Sequence, residues 1–144
     1  MNKKEFLNKI IGTPWVDRAY GFDGCDCFGL VYLYLSEVEG KISKLTNCYL
    51  DGTDFQLAFN AQLNTGEWAR LDGPSDGAIV FMMYAGDVAL HCGIMLDKVN
   101  CLHAFGSNGK GQTVIWKMPQ VKKHLSRFYK LGEAPRVEFF KWVG

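Results

Sequence analysis

The sequence predicts an α+β domain, with helices in the first half packed on an antiparallel sheet from the second. Three observations lead there. Apolar residues recur at helical spacing in three stretches before residue 65. After "LDGPSDG" the period shortens, and short β-rich runs alternate with glycine, aspartate and asparagine turns. No repeat, low-complexity segment or linker interrupts the chain, so residues 1–144 read as one domain.

The elements follow in order. Asn2 to Ile11 reads as a helix: Asn2 caps it, Glu5 stands three residues on, and Phe6, Leu7, Ile10 and Ile11 form one stripe. Gly12 and Pro14 stop it. Residues 12–26 read as a glycine-containing loop. The helical pattern resumes at Cys27, with Leu30, Val31, Tyr34, Leu35 and Val38 on one face and Gly40 at the end. Residues 41–53 are irregular. Asp54 caps a third expected helix through Asn64. Strands are expected in "AIVFMMY", "LHCGIML", "CLHAF" and "TVIWKM", and further strands in "HLSRFYKL" and "VEFFKWV".

Composition narrows the function classes. With 144 residues, 48% hydrophobic and 22% charged, the chain is long and apolar enough to bury a core. A net charge of +1 without a basic stripe gives no case for a nucleic-acid partner. No apolar run approaches the roughly 18 residues that span a bilayer, so no membrane insertion is expected. "MNKKEFLNKIIG" lacks the apolar core and small-residue cleavage site of a secretory signal, so synthesis in the cytoplasm is expected. Five cysteines, an odd count, then read as reduced thiols rather than a disulfide framework.

One thiol stands out. In "GFDGCDCFGLVYLYL", Asp26 precedes the helical pattern and is placed to cap it; Cys27 takes the first helical position. Unpaired amides and the macrodipole favour negative charge there, which lowers a thiol's pKa, most of all beside a histidine. The same amides suit an oxyanion. A buried structural thiol at a tight turn is the plain alternative.

Of three histidines, His91 and His103 lie in neighbouring expected strands. A three-residue loop, Asp97-Lys98-Val99, would pair Leu96 with Asn100 and make the two histidines diagonal neighbours on one face. An even-length loop without a bulge would separate them. On one face, with Cys27 above them, they would supply a nucleophile, a base and a group orienting the base. His124, in the charged "KKHLSR", reads as a solvated surface residue. Cys25, Cys27, Cys92, Cys101, His91 and His103 are also conceivable zinc ligands. Cys-x-Cys without a second tight pair is poor zinc spacing, and Cys92 faces away from His91 in a regular strand, so neither a metal nor another cofactor is expected.

"GTPWVDRAYGFDGCDCFGLVYLYL" resembles the nucleophile motif of the NlpC-type peptidoglycan peptidases, which are compact papain-like cysteine peptidases. Their pattern is a Gly-Thr-Pro-aromatic segment, a glycine-rich loop, then Asp-Cys-Ser-Gly-Leu-Val at a helix start. "HCGIML" is similar to the family's His-Val-Gly-Ile strand and "CLHA" to the strand that follows. The resemblance covers roughly residues 7–105. It implies Cys27 as nucleophile, His91 as base and His103 as orienting residue. It implies that Trp15, where the family has a tyrosine, stands near the oxyanion; a core anchor is the equal alternative. It places Asp26 where an acidic residue helps to receive a free substrate amine.

Phe28 replaces the usual serine, and Cys25 is an addition. "GCDC" followed by an apolar residue and "GLV" is most similar to the phage and prophage branch, which implies a tail-carried enzyme. Peptidoglycan stem peptides and tail-tip proteins are then the implied partners, and the virion acting at the cell wall the implied location. Two alternatives remain open: a tail-tip structural or assembly protein that keeps the fold without turnover, and a papain-like amidase on another substrate.

Overall fold

The computed structural model describes residues 1–41, 57, 60–61, 64–84, 88–107 and 109–144. Helix α1 (Lys3–Ile10) starts where Asn2 Oδ1 accepts the Glu5 N–H. Glu5 Oε1 in turn accepts from Asn2 Nδ2, so the first turn is closed by side chains. Phe6 and Ile10 are fully buried. The segment that follows holds a small hairpin, β1 (Tyr20–Gly21) with β2 (Gly24–Cys25), where only loop was expected. Helix α2 (Cys27–Glu37) then begins at the residue the sequence indicates. The helix expected from Asp54 to Asn64 lies largely outside the described residues; Leu57, Asn60 and Ala61 are helical. Among the described residues, no helix is long and apolar enough to cross a membrane.

The second half builds six antiparallel strands in the order β3-β8-β4-β5-β6-β7. They are β3 (Trp68–Leu71), β4 (Ile79–Tyr84), β5 (Val88–Met95), β6 (Asn100–Ser107), β7 (Lys110–Lys117) and β8 (Arg136–Trp142). Helix α3 (Met118–Phe128) crosses between β7 and β8. This corrects the strand expected in "HLSRFYKL". Met118, Val121 and Leu125 repeat at three and four residues and are buried, and Pro119 lies in the first turn, where its missing N–H costs nothing.

The sheet is covered on both faces. Ile79, Phe81, Cys92, Ile94, Leu102 and Ala104 pack with α1 and α2. Val80, Met82, Met95 and Cys101 pack with α3. This two-sided burial is why "AIVFMMY" reads as a continuous apolar run rather than an alternating one. Phe28 belongs to the first layer, edge-on to Trp68 at 6.3 Å, and is fully buried. Phe140 joins the same layer, and the partly buried Trp142 packs against it.

Two features of this frame place the site. First, β5 and β6 are paired only at Ile94–Leu102 and Met95–Cys101. Leu96 N donates to Asn100 O at 2.9 Å, and Asp97 Oδ1 accepts from Val99 N and Asn100 N, so the turn is the three-residue one that sets the two histidines diagonally. At Gly93 a Cβ would lie 2.7 Å from Cys101 Sγ and 3.2 Å from His103 Cβ. The missing side chain lets the two strands close here. Second, residues 12–15 run along the outer edge of β7. Gly12 N donates to Thr113 O, Thr113 N to Thr13 O, and Trp15 N to Gly111 O. That pairing fixes Trp15 beside β6 and β7.

Candidate active site

The start of α2 is held by Asp26. Its Oδ1 accepts from Gly29 N at 2.7 Å and its Oδ2 from Arg18 N at 2.8 Å. The residue is 0% exposed. Gly29 sits flush against the Ala19 carbonyl, and any side chain there would collide with it. The resemblance had placed Asp26 against a substrate amine. In the structure both of its oxygens accept backbone amides, and it lies behind the cavity wall that Cys27 lines.

Cys27 follows, 3% exposed, on the wall of a cavity of about 690 Å³. The groups that act on its sulfur are the Cys92 thiol, the Cys92 backbone N–H and the His91 ring. The thiol is pulled down to about 5: the bond from Cys92 contributes most, and His91, by hydrogen bond and charge, and the Cys92 N–H add to it against the opposing effect of burial. Cys92 moves well upward, through burial and through the adjoining Cys27. The proton between the two sulfurs therefore stays on Cys92, and Cys27 is the one that ionises.

His91 continues the chain. Its Nε2 lies 2.9 Å from His103 Nδ1, which leaves Nδ1 of His91 to face the sulfur. His103 is completely buried, and its pKa falls to about 2, mainly by desolvation, with the charges of His91 and His124 adding to it. It is a neutral imidazole at any working pH. The structure thus brings together Cys27, His91 and His103. A thiolate, a proton carrier and a neutral group that orients the carrier suffice for acyl transfer through a thioester.

Trp15 lies on the same cavity wall, as do Phe105 and Phe128. His124 does too, which corrects its reading as a solvated surface residue. It is part-buried on α3, with ring centroids of Phe105 at 5.2 Å and Trp116 at 5.4 Å. The signal that finds it is the helical spacing of Met118, Val121 and Leu125, which turns residue 124 toward the sheet. Cys92 is the other addition. It does face away from His91, yet that direction is where the α2 start arrives. Cys25 is buried against Thr113 Oγ1 at 3.5 Å, and its pKa rises to about 11, chiefly by burial. Among the described residues, no three His, Cys, Asp or Glu side chains are grouped to hold a metal ion.

Comparison with known proteins agrees with this architecture. The model of the NlpC/P60 family matches residues 12–129. Among solved structures, the chain is similar to the crystal structure of the NlpC/p60 domain of the peptidoglycan hydrolase SagA. The TM-score is 0.58 at 16% identity, over 94% of this chain and 92% of that one. At that identity the likeness is one of fold. Comparison with curated proteins gives no significant match.

Proposed function

Because the chain belongs to the NlpC/P60 family, we propose that it is a cysteine peptidase that cleaves peptidoglycan stem peptides. The observation that carries this is that Cys27 and His91 share the wall of one open cavity, with His91 bound to His103 at 2.9 Å behind it.

In this reading the Cys27 thiolate attacks the amide carbonyl. The oxyanion is met by amides of the α2 start, with the indole N–H of Trp15 as a further donor on the wall. Collapse breaks the C–N bond, and protonated His91 gives its proton to the departing amine. Water, deprotonated by His91, then attacks the thioester, and the acid leaves as Cys27 is restored as thiolate. The resemblance of the motif favours the bond between γ-D-glutamate and the diamino acid. The "GCDC" stretch favours a phage or prophage tail as the carrier that delivers the enzyme to the wall.

Purified sacculi of several wall types test this. Wild type should release new muropeptides and Cys27→Ala should not. Identical profiles for both on every wall would sink the peptidase reading in favour of a structural role in a tail tip. Turnover confined to other amides would make it an amidase of the same fold.

A further inference from the structure

We infer that Trp116 is a positioning residue that fixes the tautomer of His103, its indole face accepting the His103 Nε2–H. The use of this contact in turnover rests on the peptidase reading; the contact itself rests on geometry.

His103 Nδ1 is committed to His91, 2.9 Å away. Its Nε2 is buried and has no hydrogen-bond partner among the described residues. A neutral imidazole carries one proton, on one nitrogen or the other. With the proton on Nδ1, His103 would donate to His91 Nε2. The proton of a neutral His91 would then sit on Nδ1, facing the sulfur, and His91 could not take a proton from the thiol. With the proton on Nε2, His103 Nδ1 accepts from His91 Nε2–H whether His91 is neutral or charged. Only the second arrangement serves every step of the acyl transfer.

That arrangement leaves a buried N–H. Left without any acceptor it would cost about 1–3 kcal/mol. Cys101 pairs with Trp116 and His103 with Val114, so Trp116 is the diagonal neighbour of His103 on the same sheet face. The ring centroids are 4.8 Å apart with planes at 60°, an edge-to-face arrangement. Phe105 lies at 5.8 Å and 30°, alongside the ring rather than across its edge. An aromatic face is a weak acceptor of N–H, and among the described residues the Trp116 ring lies nearest to that of His103. The titratable groups facing His103 are His91 from β5 and His124 from α3, and both oppose a second proton on it.

Nitrogen-15 shifts of the histidine rings, read without substrate on the full chain, test this directly. Wild-type His103 should show a protonated Nε2 and an unprotonated Nδ1, and Trp116→Phe should keep that pattern. Trp116→Leu should give a tautomer mixture, with kcat on sacculi lowered about 10-fold and KM unchanged. Trp116→Met, which fills the space without a ring, serves if the leucine variant does not fold. A proton on Nδ1 in the wild type overturns the inference, as does an unaltered tautomer and kcat in the ring-less variants. An inactive wild type with a protonated Nε2 would defeat the peptidase reading and leave this one standing.

Discussion

His91 and His103 stand on adjacent strands, offset by two register positions, with Nε2 and Nδ1 2.9 Å apart. His91 shares the cavity wall with Cys27, whereas His103 lies behind it, buried and off that wall. Loss of His91 removes a proton transfer, so His91→Ala should lower turnover by about 10²–10⁴-fold or more. His103→Asn and His103→Gln keep a hydrogen-bonding group and should retain measurable activity, while His103→Ala should lose about 10–100-fold. Kinetics must be read beside melting temperatures. Equal and complete loss in well-folded His103→Asn and His103→Gln would mean that the roles are reversed.

Alkylation should single out Cys27. It alone of the four described thiols lines the cavity, and it ionises near 5, whereas Cys25 rises to about 11 and Cys101 to about 12 through burial. Limiting iodoacetamide followed by peptide mass spectrometry should find Cys27 labelled first, at a rate that saturates well below pH 8. Cys92 or Cys101 labelled ahead of an inert Cys27 would contradict the assignment.

Cys92 should control that ionisation. Its thiol makes the largest contribution to lowering Cys27. Cys92→Ala removes the thiol and keeps the backbone N–H, so the pH midpoint of Cys27 labelling should move upward. Cys92→Ser retains a donor and should move it less. An unchanged midpoint in Cys92→Ala would leave His91 and the helix start as the whole cause.

Stability should fall with acidity. His103 holds no proton above about 2 when folded, whereas an unfolded histidine takes one near 6.5. Between those values the unfolded chain binds the extra proton, so stability declines as pH drops below about 6.5, by roughly 1.4 kcal/mol per pH unit for that group. His124, also lowered by burial and then by His91, adds in the same direction. Cys27 acts with the same sign over a higher window. Its contribution is full above about 8.5 and is lost as pH falls toward 5. Urea unfolding at several pH values should show a shallower acid decline for His103→Gln. Equal slopes in variant and wild type would show that His103 does not stay neutral in the fold.

Local chemistry made much of this readable in advance. The caps at Asn2 and Asp26 depend on residues within three positions, and the Leu96–Asn100 register depends on the length of one turn. What escaped depends on distant partners. Strand β3 exists because Trp68 pairs with Trp142 at the other end of the chain. Helix α3 escaped because its apolar stripe starts at Met118, ahead of the aromatic "HLSRFYKL" that drew the strand reading. The approach of Cys92 to Cys27 joins a strand to a helix start far back along the chain, which no spacing announces.

The Asp26 carboxylate ties the backbone at Arg18 to the backbone at Gly29, with Cys27 between. Loop, hairpin and first helical turn are thereby joined as one piece. The conformational entropy of placing Cys27 is lost once, when the chain folds, and is not lost again at each encounter with substrate. Cutting the tie, as in Asp26→Ala, moves that loss into the catalytic cycle, where it enters as a less favourable activation entropy.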